Sequence, residues 1–175
     1  VKLRYFEKGR PSGRSFFIAG AGGEFMKILV DADAVPRAIR EILIRVAERE
    51  KLPCVFVAAR MPRLPESACV RGIGAGDAFD GADDRIVEEL EPGDLVITAD
   101  IPLASRVLAG GAEALNPRGE PYTAAGIGNA LAMRELLAEL RITGEVTGGA
   151  PPFSAKERER FTNALNRMLT RMRKR

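Results

Sequence analysis

Histidine and tryptophan are both absent from this 175-residue sequence, and cysteine occurs only twice. Without histidine the chain has no histidine-based catalytic triad, no zinc site with histidine ligands, and none of the commonest general acids or bases. Cys54 and Cys69 match no zinc motif, and each lies in an apolar stretch typical of a buried, inert thiol. Catalytic chemistry in this chain must therefore rest on carboxylates, backbone groups and metal.

Long apolar runs are also missing. No stretch approaches the roughly 20 residues that a transmembrane helix needs, and the segment 16–23 is too short and too rich in glycine for the core of a signal peptide. Hydrophobic residues make up 46% of the sequence and charged residues 29%, which is ordinary for one globular domain of this length. We therefore expect a cytoplasmic protein that does not contact membranes.

Charge is distributed unevenly along the chain, although the formal net charge is only +3. Basic side chains outnumber acidic ones in residues 1–25 and 156–175, whereas acidic side chains predominate between these two ends. Basic ends are the usual sign of a polyanionic partner, which makes RNA or DNA the expected partner. A solvated basic tail explains the same pattern at least as often.

The sequence divides into three segments. Residues 1–25 show no helical or strand periodicity and precede Met26, so we interpret them as an upstream extension or a cloning remnant. Residues 26–150 are predicted to form an α/β domain. Residues 151–175 are predicted to form a basic C-terminal helix that packs on the domain or extends from it, after a linker at 144–152.

Apolar runs alternate with helical periodicity within the domain. Strands are predicted at 27–30, 54–59, 69–73, 95–99 and 112–115, and helices from about residue 37 to 52 and at 83–90, 102–108, 124–141 and 154–173. Strands that are apolar throughout and alternate with helices favour a mainly parallel sheet with helices on both faces. Ligands of such sheets bind at the carboxyl ends of the strands.

Aspartates stand at these expected ligand positions. Asp31 and Asp33 directly follow the first strand, and residues two apart in an extended segment point the same way. Asp100 ends the strand at 95–99, and Asp83 and Asp84 open the helix before that strand. Crowded carboxylates repel unless a cation holds them, and oxygen ligands suit Mg²⁺ or Mn²⁺. The pattern predicts a catalytic metal site with Asp31, Asp83 and Asp100 as ligands and Asp33 beside them.

Each of these carboxylates also has a simpler structural explanation. Asp83 or Asp84 can be the N-cap of its helix, and Asp100 can cap the short helix that follows it. Glu41 is a weaker candidate, since Arg37 and Arg45 flank it four residues away on either side and would form a solvated ion-pair face.

Three arginines are candidates for binding substrate. Arg60 and Arg63 lie in a proline-containing loop after the second strand. Arg118 lies in Asn116-Pro117-Arg118-Gly119, a sequence that is typical of a turn. The Arg118 guanidinium is equally suited to contact a phosphate.

Four segments closely resemble the YaiI/YqxD family of bacterial proteins, which is grouped with PIN-like domains. They are Val-Asp-Ala-Asp-Ala-Val-Pro (30–36), Phe-Asp-Gly-Ala-Asp-Asp (79–84), Gly-Asp-Leu-Val-Ile-Thr-Ala-Asp-Ile-Pro-Leu-Ala (93–104) and Ala-Leu-Asn-Pro-Arg-Gly-Glu (114–120). The resemblance covers about residues 26–165, and the segment at 93–104 is highly specific. It implies a PIN-like three-layer sandwich and a Mg²⁺- or Mn²⁺-dependent nuclease that cuts RNA or DNA.

The resemblance also implies roles for single residues. Asp31 matches the first-strand acid of PIN-like nucleases, Asp83 the acid that opens a late helix, and Asp100 the acid after the last core strand. Asp33 and Asp80 belong to motifs of the narrower family. Asp84 stands where relatives usually carry asparagine. The acid that PIN nucleases place on a middle helix has no counterpart, because Glu41 comes too early in the chain.

Two other functions remain open. Asp-x-Asp after a first strand also opens haloacid-dehalogenase-type phosphatases, with Asp31 as nucleophile and Asp33 as acid or base. That mechanism uses a later lysine, and none occurs between Lys51 and Lys156, so this alternative ranks second. The third is a non-catalytic nucleic-acid-binding module that uses the basic ends while the carboxylates bind a structural ion.

Overall fold

A computed structural model describes residues 26–76, 81–143 and 153–174. The extension at 1–25, the predicted linker at 144–152 and Asp80 lie outside the described residues. In chain order the elements are β1 (Ile28–Asp31), α1 (Arg37–Glu50), β2 (Cys54–Ala58), β3 (Val70–Gly74), α2 (Gly81–Glu89), β4 (Leu95–Ile97), α3 (Ile101–Ala109), β5 (Glu113–Leu115), β6 (Pro121–Tyr122), α4 (Ile127–Ile142) and α5 (Ala155–Met172).

The strands form one sheet in the order β3-β2-β1-β4-β5-β6. The first five strands in this order are parallel, and β6 pairs antiparallel with β5 at the edge. β1 is central, so that Leu29 lies between Val55 of β2 and Val96 of β4. Every residue of β1, β2 and β4 is buried, because helices cover both faces of the sheet. The predicted α/β fold with a mainly parallel central sheet and helices on both faces is confirmed.

Side chains of β1 alternate between two hydrophobic layers. Ile28 and Val30 pack in one layer with α1 and α5, and Leu29 packs in the other with α2 and α3. Helix α5 contributes Phe161 and Leu165, both fully buried, to the first layer. The C-terminal basic helix is therefore part of the core as well as part of the surface.

Helix α4 is packed differently from the other helices. It lies against α3, yet none of its residues is buried, and Met133, Leu136 and Ile142 are exposed. None of the helices in the described ranges combines the length and the apolar character needed to cross a membrane.

Strand β6 (Pro121–Tyr122) is the element that the sequence does not predict. It is only two residues long and begins with proline, so it carries no alternation that periodicity could detect. The helix expected from residue 124 begins at Ile127, because 123–126 form the turn that follows β6.

A buried ion pair lies at the amino end of the sheet. The Asp94 carboxylate is almost fully buried and accepts hydrogen bonds from the Lys27 and Glu91 backbone N–H groups. The side-chain ammonium of Lys27 also pairs with this carboxylate, at a distance of 2.7 Å. These contacts attach the start of β1 to the start of β4, at the end opposite to Asp31.

The turn at 116–119 presses against helix α5. Gly119 has a φ of +86°, and a Cβ added there would lie 2.7 Å from the backbone of Arg160 and Phe161. Glycine is therefore required both for its left-handed backbone and for the close approach of the helix. Gly93 has a similar φ of +88°, but nothing lies within 4 Å of an added Cβ.

We predict that Gly119→Ala destabilises the protein more than Gly93→Ala. Both substitutions place alanine in a left-handed conformation, at a cost of about 1–2 kcal/mol. Only Gly119→Ala also forces the turn and α5 apart, which adds about 1–3 kcal/mol. Urea unfolding of both variants measures the difference. Equal losses of unfolding free energy would show that the contact with α5 is not constraining.

Candidate functional site

The carboxyl ends of β1 and β4 lie side by side at the centre of the sheet. The chain leaves β1 through α1 on one face and leaves β4 through α3 on the other. Connections that diverge in this way open a crevice between the two strand ends, which is where ligands of open α/β sheets bind. Asp31 ends β1, and Thr98 and Asp100 directly follow β4.

Asp31 is held between the two strands. Its side chain is buried, with 4% of the residue exposed. One carboxylate oxygen accepts a 2.8 Å hydrogen bond from the Thr98 hydroxyl, and the other accepts from the Ala34 backbone N–H at 3.3 Å. The carboxylate is therefore fixed in orientation before any ligand arrives.

Thr98 also connects Asp31 with Asp100. The Thr98 Oγ1 accepts a hydrogen bond from the backbone N–H of Asp100 at 2.9 Å, and the same hydroxyl donates its hydrogen bond to Asp31. Asp100 caps α3 by accepting the Leu103 backbone N–H at 2.8 Å, as the structural explanation of this residue expects. No hydrogen bond among the described residues engages its second oxygen, Oδ2, so capping leaves that oxygen available.

Asp33 is exposed and lies over the end of β2. Its Oδ2 accepts the Ala59 backbone N–H at 2.7 Å. This bond fixes the loop after β1 to the first residue beyond β2.

Burial raises the pKa of the Asp31 carboxyl above its ordinary value of 3.8. The hydrogen bonds from Thr98 and Ala34 oppose this effect, and the nearby negative charges of Asp33 and Asp100 reinforce it. Asp33 and Asp100 are thus close enough to act electrostatically on Asp31. A cation placed beside Asp31 would favour its ionised form.

Asp83 and Asp84 both lie on helix α2. The helix begins at Gly81, so both acids stand within its first turn, and the alternative that either is the N-cap is wrong. Asp84 pairs with Arg106 at 2.7 Å, and Asp83 is half-buried. Carboxylates in a first turn are stabilised by the helix dipole without any ligand.

The predicted ligand set of Asp31, Asp83 and Asp100 stays a prediction. Within the described ranges, no three acidic or cysteine side chains are grouped so that they could hold a metal ion by themselves. Asp83 lies inside the first turn of α2. Asp33 and Asp100, by contrast, act on Asp31 electrostatically.

The remaining candidates divide into paired and unpaired side chains. Glu41 is exposed and pairs with Arg37, as the solvent-face explanation expects. Arg118 pairs with Glu157 of α5. Arg60 and Arg63 are exposed, and no ion pair with either is formed inside the described part of the chain.

Sequence reasoning assigned no ligand-binding role to Tyr122 or Asn116. The ring of Tyr122 is half-buried, and the Asn116 Nδ2 donates a 2.9 Å hydrogen bond to its hydroxyl. Burial raises the Tyr122 pKa, and the charges of Asp100 and Glu120 raise it further, against the bond from Asn116. A tyrosine on an unpredicted two-residue strand left no signal in the sequence.

This molecule is thus a three-layer α/β protein with a buried carboxylate at the switch point of its parallel sheet. The family profile described as uncharacterized BCR, YaiI/YqxD family matches residues 29–171, and the chain belongs to this family. No solved structure matches the chain.

Its curated relatives carry the name UPF0178 protein. One from Alkalilimnicola ehrlichii is 52% identical over 83% of this chain and 98% of the relative. Another from Desulfotalea psychrophila is 54% identical over 85% of this chain and 100% of the relative. A third from Geobacter sulfurreducens is 51% identical over 84% and 98%.

We predict that Asp31→Asn becomes more stable relative to the wild type as pH rises. Because the pKa of Asp31 is higher in the folded than in the unfolded chain, the folded protein holds a proton that the unfolded chain has already lost. The free energy of unfolding therefore falls as pH rises from about 3.8 through the raised pKa. Asparagine removes this pH-dependent cost.

Chemical unfolding in the presence of a chelator at several pH values tests this. The exposed substitution Glu48→Gln on α1 is the control and should show no comparable trend. A difference between Asp31→Asn and the wild type that is constant with pH would contradict the raised pKa.

Proposed function

We propose that this protein is a divalent-metal-dependent nuclease that hydrolyses phosphodiesters of RNA or DNA at the carboxyl ends of β1 and β4. The observation that supports this most directly is the buried Asp31, with its raised pKa, beside Asp33 and Asp100. A carboxylate is rarely buried unless a partner repays its desolvation, and here two of the nearest charges are also negative.

The donor set fits Mg²⁺ or Mn²⁺ in a particular way. Mg²⁺ keeps several waters and is commonly bound by one or two carboxylates together with substrate phosphates. Asp31 and Asp100 would hold such an ion, with Asp33 as a neighbour, and no third ligand from α2 is needed. When bound, the ion would lower the pKa of water and neutralise charge on the phosphoryl oxygens.

The protein's own residues prepare this site in three ways. Thr98 orients Asp31 by donating to it, and the N–H of Leu103 orients Asp100. The burial of Asp31 excludes bulk water from one side of the crevice. The raised pKa couples metal binding to pH, because the Asp31 carboxyl must lose its proton before it can hold the ion.

Basic side chains near the crevice suit a polyanionic substrate. The loop that carries Arg60 and Arg63 starts at the carboxyl end of β2, next to Ala59, which donates to Asp33. Both guanidinium groups are exposed and available for phosphates. Arg118 is less suited than the sequence suggests, since Glu157 engages it.

Two observations rank the alternatives lower. In a phosphatase of the haloacid-dehalogenase type, Asp31 would attack phosphorus, yet it is buried and hydrogen-bonded at both oxygens. In the binding-module alternative the basic C-terminal helix would bind nucleic acid. Several arginines of this region instead form ion pairs with acidic residues of the domain, as Arg171 does with Glu113 and Arg173 with Glu50.

We predict that Mn²⁺ binds the protein and that Asp31→Asn and Asp100→Asn each weaken binding by at least about 10-fold. Glu48→Gln removes the same charge from an exposed position and should leave affinity unchanged. Electron paramagnetic resonance of free Mn²⁺ measures this. Affinity should rise with pH, because Asp31 must lose its proton to bind. Failure to bind millimolar Mn²⁺, or binding that both aspartate variants retain, would refute the proposed site.

Cleavage of labelled single-stranded RNA and DNA in Mg²⁺ or Mn²⁺ is the functional part of this test. Asp31→Asn should reduce the rate by about 100-fold or more. Turnover of p-nitrophenyl phosphate that requires Asp31, without cleavage of either nucleic acid, would establish the phosphatase alternative instead.

We predict that Arg60→Ala and Arg63→Ala weaken nucleic-acid binding and reduce its salt dependence. Each lost phosphate contact should lower the slope of log affinity against log salt by about 1. Arg45→Ala is the matched control, since it removes an exposed arginine from α1. Fluorescence anisotropy at several salt concentrations gives both quantities. If substitutions at Arg167 of α5 and at Lys174, just beyond the helix, have the larger effect, the binding-module alternative gains support.

A further inference from the structure

A cleft of about 200 Å³ lies at the antiparallel edge of the sheet, beside β6. Its walls come from β6, from the turn that follows β6, and from the first turn of α4. The residues that line it are Asn116, Glu120, Pro121, Tyr122, Thr123, Gly126, Ile127 and Ala130. This volume is smaller than the roughly 300–1,000 Å³ of a drug-sized pocket, so the cleft suits one small, flat group.

Tyr122 forms an oriented aromatic wall of the cleft. Asn116 Nδ2 donates to the Tyr122 hydroxyl, and Asn116 Oδ1 accepts the Arg118 backbone N–H at 2.8 Å. The amide is thus held at both ends, and it in turn fixes the edge of the ring. Asn116 directly follows Leu115, whose carbonyl oxygen accepts the Thr98 backbone N–H at 3.2 Å, so the cleft lies next to the loop that carries Thr98 and Asp100.

The remaining lining residues define what the cleft can bind. Pro121, Ile127 and Ala130 offer apolar surface, and the Thr123 hydroxyl and Glu120 carboxylate offer polar groups at the rim. Glu120 is the only charged side chain among the lining residues, and it lies 3.3 Å from Arg160. None of these described lining residues is basic, so a phosphate is disfavoured and an uncharged flat group with polar edges is favoured.

We propose that this cleft is a nucleobase-binding subsite, in which the base next to the reacting phosphodiester stacks on Tyr122. This inference rests on the proposed nuclease function. Stacking on an aromatic ring tolerates any base, and the polar rim can accept hydrogen bonds from its amino groups. A paired base inside a duplex cannot enter such a cleft, so the substrate is single-stranded or locally unpaired nucleic acid.

The test uses the two tyrosines of the chain, Tyr5 and Tyr122. Full-length protein carrying Tyr5→Phe and labelled with 3-fluorotyrosine has one fluorine resonance, that of Tyr122. It is titrated, in a chelator that prevents cleavage, with a short single-stranded oligodeoxynucleotide and with a matched one that contains abasic sugars. We expect the oligonucleotide with bases to shift the resonance saturably, and the abasic one to shift it little.

Substitutions at Tyr122 provide a second measurement by fluorescence anisotropy. Tyr122→Ala should weaken binding of the single strand by roughly 10-fold, whereas Tyr122→Phe, which keeps the stacking face, should stay within about twofold of the wild type. Circular dichroism confirms that both variants are folded. Three results would overturn the subsite. The two oligonucleotides could shift the resonance equally, the oligonucleotide could bind without shifting the resonance, or it could fail to bind.

The subsite and the nuclease fail in different ways. If Mn²⁺ binding and cleavage are found but Tyr122 does not respond to bases, the subsite is wrong and the proposed function stands. If Tyr122 responds to bases while neither Mn²⁺ binding nor cleavage is found, the cleft is a base-binding site and the proposed function is wrong.

Discussion

The hydrogen bond from the Thr98 hydroxyl to the Asp31 carboxylate joins the ends of the two central strands, and the rest of the site is arranged around it. The same hydroxyl accepts the N–H of Asp100, so the loop that starts α3 is positioned by the residue that orients Asp31. Because hydrogen bonds to charged groups are strong in a poorly solvated interior, this short chain of contacts keeps the strand ends together against the repulsion between neighbouring carboxylates. The opposite end of the sheet is joined by Lys27 and Asp94 in a charge-neutral pair.

Electrostatic complementarity within the molecule explains its uneven charge. The domain has an excess of acidic side chains, and the C-terminal helix has an excess of basic ones. Basic side chains of the helix and of its C-cap form ion pairs with Glu50, Glu113 and Glu120 of the domain. Exposed pairs of this kind contribute little stability individually, whereas Phe161 and Leu165 of α5 are fully buried in the core. A basic helix at the end of a chain is therefore weak evidence for nucleic-acid binding when its side chains can pair with an acidic domain of the same chain.

How far the sequence predicts this structure depends on which physical signal each feature carries. The parallel sheet follows from apolar runs such as Cys54–Ala58, since burial on both faces leaves no alternation. Asp31, Asp33 and Asp100 could be placed together because strand ends share one edge. The same argument could have placed Thr98 at this site, since it precedes Asp100 by two positions. Whether Asp83 caps α2 or lies inside it depends on the residue where the helix begins, and helix starts are poorly fixed by periodicity. Tyr122 and Asn116 come together only through tertiary contacts of a two-residue strand.

The contact at Gly119 links two stretches of chain that are about forty residues apart. As long as α5 keeps its position, position 119 has no room for a side chain. The sequences of the turn and of the helix are therefore constrained together. A relative that replaces this glycine must also displace or shorten its C-terminal helix. Since the turn lies on the segment that joins β5 to β6, such a paired change would also alter the shape of the cleft beside Tyr122.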